Sequence, residues 1–198
     1  MSTIERVQVP ADEERRRLLA SATAAAGGLA LAGASVPFVA SLWPSERARA
    51  TGAPVEVDIA SLKPGELKTI EWRGKPVWVL RRTPAMLASL ESVRARLSDP
   101  DSRVASQQPA YARNATRSIE PGLFATISLC THLGCIPSYA PEPGSIESGW
   151  QGGFYCPCHG SKFDLAGRVF KGSPAPTNLV IPPHHARGGS RLVIGLDP

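Results

Sequence analysis

The longest apolar stretch of the chain is Leu18–Leu42, LLASATAAAGGLALAGASVPFVASL, in which no side chain is charged. As a helix it would extend about 37 Å, enough to cross a hydrocarbon core of about 30 Å. Its Ala and Gly make it only weakly hydrophobic, and Pro37 is expected to kink it by removing a backbone donor. The following WPSERARATGAP, Trp43–Pro54, is polar and has no apolar period, which predicts a tether. From Val55 the pattern changes to period two. VEVDI alternates, and LKTIEW and PVWVLRR flank Arg73-Gly74-Lys75 as the arms of a hairpin. In PAMLASLESVRARL a helical period returns. Met86, Leu87, Leu90, Val93 and Leu97 share one face, a core-packing stripe that ends at Asp99-Pro100. A polar, loop-like stretch follows, after which LFATISL reads as an apolar strand leading into Cys130. GRVF, LVIP and RLVIGL read as closing strands.

Composition fits that reading. Gly (18) and Pro (19) are abundant, as expected of a loop-rich, strand-based domain rather than a helical bundle. The net charge of +5 is modest, and apart from Arg15-Arg16-Arg17 the basic residues are scattered. Nothing would track a phosphate backbone, so nucleic acid is not an expected partner. Asn114-Ala115-Thr116 matches a glycosylation sequon, a triplet common enough by chance to carry no weight.

Paired arginines ahead of an apolar run, EERRRLL at Glu13–Leu19, resemble a twin-arginine export signal. The run exceeds the usual signal core, and Arg49 spoils Ala48–Ala50 as a cleavage site, so the helix is expected to be retained. The basic N-terminus should then stay in the cytoplasm and the remainder enter the periplasm, where disulfides persist. The expected organisation is a cytoplasmic N-terminus at 1–17, a single-pass anchor in a bacterial inner membrane at 18–43, a flexible tether at 44–54 and a head at 55–198.

All four cysteines and two of the four histidines sit in two boxes, Cys130-x-His132-x-x-Cys135 and Cys156-x-Cys158-His159, separated by twenty residues. Thiolates with imidazoles suit zinc, copper or an iron–sulfur cluster. Gly134 and Gly160 let the backbone fold close around a centre. A structural zinc would use four of the six donors and leave two over, and the usual Cys-x-x-Cys knuckle is missing. A thiol oxidoreductase would need that motif too. A third arrangement uses all six: one Cys and one His of each box on a two-iron cluster, and the remaining cysteines in a disulfide. His184 and His185 in PPHH are expected in an exposed turn, with no metal role.

CTHLGC and CPCHGS resemble the paired boxes of the Rieske iron–sulfur proteins. With the anchor, the tether and KGSPAPTNL, which resembles that family's proline-rich loop, the likeness extends to the iron–sulfur subunit of the cytochrome bc1 complex over nearly the whole chain. The resemblance implies a mostly β fold: an antiparallel β-sandwich head with a small cluster-binding lobe at about 128–176. It implies that Cys130 and Cys156 bind one iron of a [2Fe–2S] cluster, that His132 and His159 bind the outer iron, and that Cys135 and Cys158 form a disulfide. Leu133, Gly134, Gly160 and Pro174 would line the cofactor.

The activity implied is transfer of one electron, with coupled proton release, from ubiquinol at cytochrome b to cytochrome c1. His159 would be the quinol contact with His132 nearby, in a complex that is a homodimer of heterotrimers. Imidazoles in place of two thiolates make such a centre less negative and raise its potential. Ser161 is expected to donate to a cluster sulfide. Phe163 stands where the family commonly has a tyrosine, and losing that hydroxyl should lower the potential. The alternatives are a Rieske subunit of another periplasmic oxidoreductase, such as an arsenite oxidase, or a membrane-anchored zinc-binding interaction module.

Overall fold

The computed structural model describes residues 12–198, in two compact units divided between Ala48 and Arg49. Residues 1–11 of the expected cytoplasmic segment lie outside the described residues. In the first unit α1 spans Glu13–Ser41, 29 residues, with no side chain buried. The Asp12 carboxylate accepts from Arg15 N and starts the helix. The helix continues through Pro37, and the hydroxyls of Ser21, Thr23, Ser35 and Ser41 bond back to carbonyls of the preceding turn. Its mean hydropathy of 1.5 and its length are sufficient to cross a membrane. The expected tether is not wholly irregular, because α2 forms at Glu46–Thr51. Ser45 Oγ accepts from Ala48 N at 3.1 Å, a cap that the sequence reading overlooked.

The head is built from three three-stranded antiparallel sheets. The first joins β1 (Val55–Asp58), β9 (Arg191–Ile194) and β8 (His184–Arg187). The second joins β2 (Leu67–Trp72), β3 (Lys75–Arg81) and β4 (Leu123–Ile127). The third joins β5 (Ser138–Ala140), β6 (Gly153–Cys156) and β7 (Ser161–Asp164). The β2–β3 hairpin closes on Arg73 and Gly74, both at positive φ (53° and 68°), as a two-residue hairpin loop requires.

The second sheet is the middle layer, and strand periodicity makes it so. Val77, Val79, Leu123, Ala125 and Ile127 face one core, shared with Val57, Leu192 and Ile194 of the first sheet. The alternate residues Trp78, Leu80 and Phe124 face a second core, shared with Phe154, Cys156 and Phe163 of the third sheet. Burial on both faces explains why β4 is buried at every position rather than alternating, with its one polar side chain, Thr126, bonded to Val180 O. The first two sheets form the expected sandwich, and the third is the small lobe.

Four local expectations need correction. The stripe expected to run to Leu97 is helical only over α3 (Pro84–Ser92), capped by Thr83. It then tightens into a 3-10 turn at Arg94–Arg96, which lets Leu97 bridge to Phe170. GRVF makes only lone bridges, Phe163 to Val169 and Leu97 to Phe170. LVIP meets the middle sheet through Ile127 N to Val180 O, and its other bonds go to different segments, Leu179 N to Gly167 O and Ile181 N to Gln107 O, so it forms no ladder. His184 is not in an exposed turn. It opens β8 with 2% of its surface exposed, its Nδ1 is 2.8 Å from Pro182 O, and its ring meets Tyr111 edge-on.

Candidate metal centre

Both boxes fold by the same local device. The first follows β4 after Ser128, whose N–H and hydroxyl both bond to Pro76 O and fix the exit of the chain. The second is the turn between β6 and β7, where Cys156 pairs with Ser161. In each box the glycine N–H returns to the carbonyl of the first cysteine at 2.9 Å: Gly134 to Cys130, and Gly160 to Cys156. Both glycines are left-handed, at φ 80° and 79°, a conformation costly for any residue with a Cβ. The equal spacing from cysteine to glycine in the two boxes is therefore a backbone requirement.

The turns sort the six donors. Cys135 and Cys158 are bonded as a disulfide across the boxes, while Cys130 and Cys156 are free thiols, 3% and 1% exposed. The sulfurs of Cys135, Cys156 and Cys158 lie within 4.8 Å of one another, so the disulfide abuts a buried thiol. Burial pushes the Cys156 thiol up, and the neighbouring Cys130 thiol adds to this. The N–H groups of Cys158 and His159 act in the opposite sense. The His132 and His159 rings meet edge to face with centroids 4.7 Å apart, His132 half-buried and His159 exposed. Leu133 and Ile136 beside them are 70% and 56% exposed.

The donor set fits a metal centre on one particular observation. His132 Nδ1 is buried and has no hydrogen-bond partner among protein atoms. Such an orphan is costly unless a ligand takes its lone pair. Two buried thiols, two imidazoles and that orphan nitrogen fit a mixed sulfur and nitrogen site.

A third loop supports the boxes. Ser161, fully buried, accepts from Ala175 N at 3.0 Å, so its own proton remains free to donate elsewhere. Thr131 Oγ1 donates to Thr177 O at 2.7 Å, and Lys162 N donates to Ser173 Oγ at 3.1 Å. Pro174, expected near the cofactor, is exposed on this loop. Phe163 is fully buried, paired with Phe154 in the lobe core.

The sequence reading missed Thr131, and it missed Gly152 and Gly153. A Cβ on Gly153 would collide with Phe163 O, and one on Gly152 would lie 2.5 Å from Pro141 O. The Gly-Gly pair at the start of β6 was the available signal. For Thr131 there was none, because its partner lies 46 residues along the chain.

Comparison with known proteins bears on the same residues. Residues 54–183 match the family model described as Rieske [2Fe-2S] domain. Residues 10–45 match the one described as Ubiquitinol-cytochrome C reductase Fe-S subunit TAT signal. The chain is 57% identical over 185 residues to the ubiquinol-cytochrome c reductase iron-sulfur subunit of Allochromatium vinosum, covering 92% of this chain and 89% of that protein. It is 38% identical to the subunit of the same name from Blastochloris viridis, covering 93% and 94%. With that of Bradyrhizobium diazoefficiens it shares 36% identity, covering 91% and 94%.

Proposed function

The chain belongs to the Rieske [2Fe–2S] family, and we propose that it is the electron-transfer subunit of a membrane-anchored ubiquinol–cytochrome c reductase. In that role it takes one electron from ubiquinol at cytochrome b and passes it to cytochrome c1, within a homodimer of heterotrimers. The relatives carry that complex in their names, and no other periplasmic oxidoreductase is needed to explain the match.

Cys130 and Cys156 would hold one iron, and His132 and His159 the other. The cluster, when bound, supplies a one-electron carrier whose potential is raised because two neutral imidazoles replace two thiolates. The chain's own residues do the rest. The buried thiols keep water from the sulfur side of the site, and the disulfide beside them clamps the two boxes. The exposed His159 presents a ring nitrogen at the surface, where a quinol hydroxyl can bond and leave its proton. His132 sits behind it, and the exposed apolar side chains of Leu133 and Ile136 form a rim suited to an apolar docking surface. Leu133, Gly134, Gly160 and Pro174 line the approach, and Ser161 holds a free hydroxyl proton on the buried side.

The export signal, the spanning helix and the disulfide support a head on the periplasmic side of a bacterial inner membrane. The segment 44–54 would let the head move between its two partners.

The observation that carries this reading is the pairing of two buried free thiols with two adjacent imidazoles, one of them exposed. Metal analysis and electron paramagnetic resonance of the reduced full-length chain test it. Iron and labile sulfide in equal amounts, with a rhombic signal, are expected, together with co-purifying b- and c-type haem. Zinc without labile sulfide would overturn it.

A further inference from the structure

Apart from His184 and the two free thiols, four ionisable side chains are buried among the described residues: Arg82, Arg117, Asp164 and Arg168. They form one group around the end of β7. Arg168 and Asp164 are a closed pair, with both side chains 1% exposed, Nη2 at 2.7 Å and Nε at 2.8 Å from Asp164 Oδ2. Asp164 Oδ1 also accepts from the backbone N–H of Ala166 and Arg168.

The other two guanidinium groups have no carboxylate of their own. Arg82 donates to the carbonyls of Pro121, Thr116 and Leu165 and to Ser118 Oγ. Arg117 donates to the carbonyls of Ala166, Gly167 and Gln107 and to Gln108 Oε1, and its Nε has no partner. Asp164 acts on both at a distance, as does Asp99, half-buried, on Arg117. Burial pushes both down to about 10, which leaves them cations at neutral pH. With the Asp164–Arg168 pair neutral overall, two positive charges stand buried. Uncompensated buried charge is costly to stability, and three carbonyl contacts could be supplied more cheaply by neutral donors.

The charges face the candidate centre through apolar material. The Arg82 guanidinium lies 5.0 Å from the Phe124 ring centroid, and Phe124 stacks on Phe154 at 6.2 Å, two residues before Cys156. Phe124, Phe154, Phe163, Cys130 and Cys156 belong to one core. Along β7, Ser161 pairs with Cys156, and Leu165, whose carbonyl Arg82 holds, is four residues further on, roughly 13 Å at about 3.3 Å per residue.

We infer that Arg82 and Arg117 are positioning residues of an electrostatic kind: their buried positive charge raises the reduction potential of the redox group held by Cys130 and Cys156. The inference rests on the proposed function, since it requires that a redox cluster be bound there. Reduction would add one negative charge to a cluster held by Cys130, Cys156, His132 and His159. Taking that chain span of roughly 13 Å as the scale of the separation, a unit positive charge at an effective dielectric constant of about 20 favours the reduced state roughly tenfold. Because the charges are buried, added salt should leave the effect largely intact.

The test is a redox titration of the full chain in its membrane complex, followed by the cluster's paramagnetic signal, for Arg82→Gln, Arg82→Lys and Asp164→Asn. Arg82→Gln should lower the reduction equilibrium constant about tenfold, about 59 mV for a one-electron couple. Arg82→Lys, which keeps the charge but loses the guanidinium's bonds, should stay near the wild type. Asp164→Asn removes a negative charge from the same network and should raise the midpoint. If the network only braces the fold, Gln and Lys will shift together and Asn will not move in the opposite direction, and either result overturns the inference. Should Arg82→Gln not accumulate, Arg117→Gln replaces it, and the rise in Asp164→Asn with Arg82→Lys unmoved decides the matter. A wild-type chain without iron and labile sulfide would instead sink the proposed function, which separates the two failures.

Discussion

The hydroxyl of Thr131 donates to the carbonyl of Thr177 at 2.7 Å and so ties the first cysteine–histidine box to the proline-rich loop. The second box is tied to the same loop by Ser161 and by Lys162 N, so three loops form one frame. Thr131→Val keeps the shape but leaves the Thr177 carbonyl without its donor, at a cost of about 1–2 kcal/mol. The melting temperature should fall by a few degrees and the cluster be lost faster to a chelator, while Thr131→Ser should restore both. A valine variant that holds its cluster as the wild type does would contradict the frame.

Removing the disulfide tests the clamp. Cys135 and Cys158 close a loop of 23 residues, and the double alanine variant should lose roughly 3 kcal/mol on the chain-entropy model. More specifically, iron and sulfide should dissociate under dithionite or mild chelation far sooner than the head unfolds. Thermal unfolding followed alongside the visible spectrum separates the two events, and coincident loss would show that the bond acts on global stability alone.

His184 predicts a pH dependence of stability. Burial pushes its imidazole below the ordinary value, assisted by the neighbouring His185 charge. The bond to Pro182 O and the Asp197 carboxylate act the other way. Tyr111, whose hydroxyl accepts from His184 N and donates to Asp197, completes its surroundings. The folded state keeps this ring neutral where the unfolded state protonates it. The unfolded state therefore binds more protons, and stability rises with pH. The contribution is fully present above the unfolded value near 6.5 and is lost as pH falls through it. Unfolding midpoints between pH 7.5 and 5 should decline in the wild type and flatten in His184→Phe. Parallel profiles would remove His184 as the cause. Exposed Glu56, Asp58 and Asp101, all lowered mainly by hydrogen bonds, act only in the carboxylate range.

Phe163 should set the midpoint lower than a tyrosine would. It is fully buried, across the sheet from Phe154 and two strand residues from the Cys156–Ser161 pair. Phe163→Tyr offers a hydroxyl to the sulfur side of the site. If that bond favours the reduced state by about 1 kcal/mol, the midpoint rises by roughly 40 mV. Redox titration of the variant beside the wild type reads it directly, and an unmoved or lowered midpoint refutes the role.

The tether prediction concerns turnover. Prolines at Ala48 and Ala50 remove the N–H that Ser45 caps and stiffen the segment around α2. Quinol-dependent cytochrome c reduction should slow several-fold while the cluster's spectrum stays unchanged. Unaltered turnover would count against head movement.

Local chemistry carried much of this protein into its sequence. The Arg73-Gly74 turn, the period-two strands around it and the uncharged run of α1 are each decided by residues adjacent in the chain, and all were legible. So were the two boxes, because the donors and the glycines that close each turn lie within six residues of one another. The capped turn at Glu46–Thr51 was local too, and was overlooked because a six-residue polar helix has no apolar stripe.

What the sequence did not reveal depends on distance along the chain. His184 reads as a surface residue beside two prolines, yet pairing of β8 with β9 buries it against Tyr111, 73 residues away. GRVF and LVIP have strand composition and meet the edge strands β7 and β4, but only by lone contacts rather than a ladder, so they stay irregular. The donor types, their spacing and the anchor were thus determined by the sequence alone. Which sulfurs pair, which stay buried and free, and which unpaired arginines lie beneath them were decided only by the tertiary fold, because burial and long-range charge are properties of packed layers.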